Sequence, residues 1–273
     1  MGERLREKLM LRGLYSAANA MRYRAHEVDV TANNLANVST DGFKRDRIAM
    51  RAFGDILAAR INDQSDDRPV SFPPGVNYIG IMNLGGPAVE TEFIDFSPGR
   101  PQVTDNPLDL MLRGPGFFTI ETPGGERYTR SGKFTLSSDG IIINPAGQPL
   151  LGVNGQPIRL TSPSPIFIHS NGEIVQDGLP VARIRVVEFS DIGNLEKEGF
   201  SMFRVKDPTN MAPLPAFQTS MEQGVLEGSN VDPIDALVQL ITAQRAYEAA
   251  ARAVDMFNQS MNRVSSELGR LPA

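Results

Sequence analysis

Two segments at opposite ends of this chain carry the same alternating three-and-four spacing of apolar residues, and this matched pair constrains the fold more than any other feature. From Leu11 to Leu35 the apolar positions are Leu11, Leu14, Ala18, Met21, Ala25, Val28, Ala32 and Leu35, which lie along one face of a helix as a heptad stripe. Such a helix spans about 35 to 40 Å at 1.5 Å per residue, and the small side chains of Ala18, Ala25 and Ala32 admit close approach by a partner. The second stripe follows Asn230-Val-Asp-Pro233, where Asp232 suits an N-cap and Pro233 the first helical turn. It runs through Leu237, Leu240, Gln244, Tyr247, Ala251, Val254, Asn258 and Met261, with Leu268 beyond. The amides Gln244 and Asn258 weaken a simple coiled coil, and such residues set register and partner choice. Helices of this kind are marginal alone, and soluble monomers cover apolar stripes of this size. The ends are therefore expected to pair with each other or with neighbouring chains, while a helix hairpin packed inside one domain accounts for the same stripes.

Between the helices the pattern changes to short strands separated by the turn dipeptides Asp139-Gly140, Asn154-Gly155, Asn171-Gly172 and Asp177-Gly178. The spacing predicts strands over Phe117–Glu121, Arg127–Arg130, Lys133–Leu136, Ile141–Ile143, Ile166–His169 and Ala182–Phe189. In the last, Arg183 and Arg185 alternate with Ile184 and Val186, as in a strand with one wet face. Asn62 to Tyr78, rich in Asp, Pro and Ser, reads as a linker or exposed loop, and a second break falls at Pro208 to Pro215. The expected fold is a mainly β central domain with long N- and C-terminal α-helices that pair as a coiled coil, a discontinuous α domain plus a β domain. Its parts are residues 1–61 for the first helix and turn, 62–84 for the linker, 85–217 for the β domain and 218–273 for the closing helix.

Several function classes are excluded. With 27 basic and 32 acidic residues the net charge is −5, which offers no phosphate-tracking surface, so no nucleic-acid partner is expected. Cysteine is absent, which removes disulfides, thiolate metal sites and cysteine nucleophiles. The two histidines, His26 and His169, are far apart in sequence, and no phosphate loop, dinucleotide fingerprint or nucleophile elbow occurs. Glu90 and Glu92 lie two apart on a strand, which is weak support for glycan hydrolysis. No catalytic residue, metal or cofactor is expected, and the chain is read as a non-enzyme. No run of about twenty apolar residues predicts membrane insertion, and from the charged start no cleavable leader is expected.

The segment after the first stripe, Thr31-Ala-Asn33-Asn34-Leu35-Ala-Asn37-Val-Ser-Thr-Asp41-Gly42-Phe43-Lys44-Arg45, places three asparagines on the last two turns. Asn37 suits a helix end, Asp41-Gly42 a tight turn, and Phe43 a return onto apolar surface. Helix termination explains Asn37 and the turn. It does not explain three amides together, which are suited to pairing with a neighbouring subunit.

This stretch closely resembles the N-terminal signature of the bacterial flagellar rod and hook proteins. Glu227-Gly-Ser-Asn230-Val-Asp-Pro233 with Gln244-Arg-Ala-Tyr247-Glu248 is similar to that family's C-terminal signature. Asn106-Pro-Leu-Asp109, Gly114-Pro-Gly-Phe117-Phe118 and Tyr128-Thr-Arg130-Ser-Gly-Lys-Phe134 are similar to the opening of its β domain. The resemblance implies a structural subunit of the basal-body rod, the axial shaft that transmits torque to the hook. It implies helical ends paired in an inner coiled-coil layer, a β domain outside, and export by the flagellar export apparatus without a cleaved signal to an extracytoplasmic basal body. Expected partners are other rod and hook subunits and further copies of this chain. Within the family, Gly224 to Pro233 and Ala182 to Phe189 resemble the proximal rod subunit more than the distal one. The expected assembly residues are Leu14, Met21, Val28, Asn33, Asn34, Leu35, Asn37 and Phe43 with Asn230, Leu237, Leu240, Gln244, Tyr247 and Val254. A distal rod or hook-type subunit, an adaptor, and a secreted glycan-binding or peptidoglycan-acting β protein are the alternatives.

Overall fold

The computed structural model describes residues 2–52, 87–160, 164–206 and 213–268. The expected linker at Asn62 to Tyr78 lies outside the described residues, as does part of the break at Pro208 to Pro215. The described chain is mainly β with a helix at each end, α1 (Gly2–Ala36) and α2 (Pro233–Leu268). The strands are β1 (Asp46–Ala52), β2 (Pro87–Ile94), β3 (Pro101–Val103), β4 (Leu110–Arg113), β5 (Phe117–Thr122), β6 (Gly125–Thr129), β7 (Thr135–Leu136), β8 (Ile142–Ile143) and β9 (Ile166–Ile168). They continue as β10 (Glu173–Gln176), β11 (Leu179–Arg183), β12 (Val186–Glu188), β13 (Leu195–Lys197), β14 (Met202–Val205), β15 (Leu214–Pro215), β16 (Ser220–Gln223) and β17 (Val225–Glu227).

Two compact units divide the chain. The first takes residues 1–35, 46–93 and 233–273, and the second 36–45 and 94–232. In the second unit a six-stranded sheet runs in the order β13-β14-β6-β5-β12-β15. Its residues are apolar on both sides of the pleat, because successive side chains of a strand point to opposite faces. Phe118 and Ile120 enter one core with Leu110, Phe134, Leu150 and Ile174. Phe117, Tyr128, Val187, Phe189 and Phe203 form the other, where Phe117 meets the rings of Phe96, Phe189 and Phe203 at centroid distances of 5.6, 5.6 and 5.7 Å.

Gly140, Gly155, Gly172 and Gly178 all take positive φ at the turns their dipeptides predict. The strand expected over Ala182–Phe189 is two strands. Up to Arg183 the backbone pairs with β10 in a three-stranded sheet, and from Val186 it pairs with β5 in the six-stranded sheet. Ile184, 2% exposed, sits at the switch and bridges to Gly152. The alternation of Arg and aliphatic residues continues through a change of sheet, so periodicity alone does not show it.

Candidate assembly interface

The turn after α1 is built into the second unit from sequence-distant pieces. The Thr40 N–H donates to the Asn37 carbonyl at 3.1 Å and the Thr40 hydroxyl to Asn37 Oδ1 at 3.1 Å, closing the turn. Gly42 follows with φ +68°, and its N–H donates to the Glu227 carbonyl at 2.6 Å. A Cβ at Gly42 would lie 2.2 Å from the Ser131 backbone nitrogen, so only glycine fits this approach. Phe43 is then buried, with the Lys197 ammonium 4.1 Å from its ring centroid.

Lys44 is fully buried. Its Nζ donates to Glu227 Oε1 at 2.5 Å and to the Ser97 carbonyl at 2.9 Å. Glu227, 1% exposed, also accepts from the Gly99 N–H at 2.9 Å. Arg130 brings a second cation to within 3.7 Å of Glu227 Oε2, donates to the Gly114 carbonyl at 2.6 Å, and lies over the Phe117 ring. Burial pushes the Lys44 ammonium below its ordinary pKa, against the opposing pull of Glu227, and lowers Arg130 in the same way. One carboxylate thus serves two desolvated cations. A buried charge holds its place only when paired in this way.

Beside it, Asn230 acts as a peptide mimic. Its Oδ1 accepts from the Arg45 N–H at 2.8 Å, and its Nδ2 donates to the Asp95 and Ser97 carbonyls at 2.8 and 3.2 Å. The Arg45 side chain donates to Asp95 at 2.9 Å, and Arg100 pairs with Asp232 at 2.8 Å. Burial pushes the Asp95 carboxyl up, but the Ser97 N–H and the Arg45 guanidinium outweigh it and hold the group below the usual carboxylate range. Residues 37–45, 95–100 and 227–232 therefore form one clasp.

In the first unit, Asn34 is buried and reads the backbone of Asp46 from both sides. Its Oδ1 accepts from the Asp46 N–H at 2.9 Å and its Nδ2 donates to the Asp46 carbonyl at 2.8 Å. Among the described side chains of α1, Tyr23, Val30, Thr31 and Asn34 are buried, while Leu14, Met21, Val28 and Leu35 are half-buried and Asn33 is exposed. Along α2, Ala236 and Ala243 are buried and Leu240, Tyr247 and Val254 half-buried, whereas Leu237 and Gln244 are exposed. Ile234, Leu237, Val238 and Ile241, at 72, 49, 57 and 44% exposure, line one side of its first two turns. Gly13 of α1 meets the Phe257 ring of α2, which stands 2.7 Å from where a Cβ would be.

Of the expected assembly residues, Phe43, Asn230 and Asn34 are engaged inside the chain, and Asn37 closes the turn. Lys44 and Glu227 stand inside the two terminal signatures, but no role for them is legible there, since they are 183 positions apart. Arg130, Asp95 and Gly13 likewise escape a reading based on local spacing. Among the described residues no group of three or more His, Asp or Glu side chains is placed to hold a metal, and no helix is long and apolar enough to cross a membrane.

Three family profiles match the chain. Residues 14–44 match "Flagella basal body rod protein", residues 111–183 "Flagellar hook protein FlgE/F/G D1 domain" and residues 222–267 "Flagellar basal body rod FlgEFG protein C-terminal". Lys44, Arg130 and Glu227 come one from each matched segment. Among relatives, the chain is 32% identical over 259 residues to the flagellar basal-body rod protein FlgF of Caulobacter vibrioides, covering 94% of this chain and 98% of that one. It is 33% identical to the rod protein FlgG of the same species, covering 93% and 98%. To the hook-basal body complex protein FlhO of Bacillus subtilis it is 29% identical, covering 96% and 100%.

Proposed function

This chain belongs to the family of flagellar basal-body rod proteins, and from that premise we propose that it is a structural subunit of the rod, built into the axial shaft through its two helical ends. The observation that carries the assembly reading is the row Ile234, Leu237, Val238 and Ile241, which leaves four aliphatic side chains exposed on α2. Four such neighbours on a helix make a patch that association covers. The α1 and α2 stripes pair as a coiled coil, with Leu14, Met21, Val28 and Leu35 facing the Leu240, Tyr247 and Val254 side of α2, and the exposed row meets an adjacent subunit. Asn33 and Gln244 lie at the margins, where amides fix register. The close approach of Gly13 and Phe257 supports that pairing.

The partners are other rod and hook subunits and further copies of this chain. The chain reaches an extracytoplasmic basal body through the flagellar export apparatus. Its position is proximal, a reading supported by Ala182 to Phe189, Gly224 to Pro233 and the likeness to FlgF; the equal likeness to FlgG makes the distal position the alternative.

The test is Leu237→Asp expressed in a strain lacking the native copy. Leu237 is half exposed in the single chain, so the charge should leave folding intact, with an unfolding free energy within about 0.5 kcal/mol of wild type. Motility should be lost. Normal swimming by this variant would overturn the role given to the exposed row.

A further inference from the structure

The six-stranded sheet carries a knob at one edge and a cleft at the other, and we propose that they engage between copies: Phe200 of one subunit seats in the cleft beside β15 of the next. This rests on the rod reading above and adds a contact made by the β unit.

The knob is the turn joining β13 to β14. Three consecutive residues, Gly199, Phe200 and Ser201, have φ of +68°, +44° and +55°. Left-handed backbone is disfavoured for a residue with a side chain, and most of all for a bulky one. The turn is closed by the Met202 N–H donating to the Gly199 carbonyl at 2.8 Å. This geometry leaves the Phe200 ring 80% exposed. A large aromatic held in a strained turn and turned to water contributes nothing to its own core. Backbone strain of this sort persists at sites of interaction.

The cleft lies at the other end of the same sheet. It encloses about 820 Å³ and is lined by Val153, Val186, Leu214, Phe217 and Met221 with Arg183 at its side. Val153, Leu214 and Phe217 are 63, 49 and 85% exposed, so its wall offers apolar surface that the described residues do not cover. In the order β13-β14-β6-β5-β12-β15 the two features are separated by four to five strand spacings, about 20 Å at 4.8 Å each. Phe200 therefore cannot reach the cleft of its own chain.

Glu196 and Glu198 at the knob are matched by Arg204 and Arg127, and Arg185 at the cleft by Glu126, so the contact rests on the aromatic ring and the apolar wall and not on charge. Prolines at 213 and 215 blunt the β15 edge, so the contact is a side chain in a cleft and not an added strand. A knob and a cleft on opposite edges make a heterologous contact, which repeats from copy to copy without closing on itself. An extended shaft requires that property.

The chain has no cysteine, which makes the test direct. Basal bodies are purified from cells carrying the double variant Ser201→Cys and Ala216→Cys, which keeps the Phe200 ring and the apolar wall of the cleft, and treated with copper-phenanthroline. The expected result is a ladder of cross-linked multiples of the chain, absent from both single variants. If the chain is present in basal bodies and no ladder forms, the edge contact is overturned and the rod reading stands. If the chain is absent from wild-type basal bodies, both fall. A second variant, Phe200→Gly, relieves the strained φ, and should raise the melting temperature of the purified chain while reducing swimming. Wild-type swimming by this variant would also overturn the contact.

Discussion

Lys44, Arg130 and Glu227 show how a single buried carboxylate can hold distant parts of a chain together. Replacing such a group with well-packed apolar residues costs little, but removing one partner strands the others in low dielectric. Glu227→Ala should therefore lower the unfolding free energy by about 3 to 5 kcal/mol, measured by urea titration, while Lys44→Met combined with Glu227→Leu should lose less. A loss under about 1 kcal/mol for Glu227→Ala would contradict the arrangement. Asp95 makes a prediction in pH. Its carboxyl, although raised by burial, is held low overall by Ser97 and Arg45. The unfolded state then binds the proton more readily, so the stabilisation is complete above the ordinary aspartate value and disappears as pH falls through the depressed one. The stability difference between wild type and Asp95→Asn should be constant at neutral pH and shrink below about pH 4. A difference that does not change between pH 6 and pH 2 would refute this.

At the scale of elements, the turn after α1 depends on the backbone of one glycine. Gly42→Ala places a methyl against the Ser131 nitrogen in a left-handed conformation, and should cost about 2 kcal/mol or more by the same urea measurement. A neutral effect would mean that the turn relaxes freely. The turn itself was legible in Asp41-Gly42, as were strands β5 to β9, because turn chemistry and apolar alternation act locally, whereas β1 to β4, β10 and β13 to β17 were not among the expected strands. The helix faces were legible less fully. On α2 the most covered line runs through Ala236, Leu240, Ala243, Tyr247, Val254 and Phe257, with Leu237, Gln244 and Asn258 outside it. Apolar spacing selects the larger Leu237 over its neighbour Ala236, whereas close packing favours the smaller side chain. The clasp was not legible at all as a cluster. Lys44, Asp95, Arg130 and Glu227 are brought together by tertiary structure, and no short-range pattern pairs them.

The whole chain passes repeatedly between its two compact units, entering the second for residues 36–45, leaving it for 46–93 and returning for 94–232. The clasp ties these passages within the second unit, since it joins the turn after α1 to the segment leading into α2. The family membership, the exposed row on α2 and the knob and cleft of the β unit all point to a chain completed by its neighbours.

The measurement that tests this account most directly is electron microscopy of basal bodies from a strain lacking this gene, beside the complemented strain. The account predicts rods that stop short and carry no hook, restored by complementation, with a stop near the base for a proximal subunit. Intact rods with hooks in the deletion strain would contradict it.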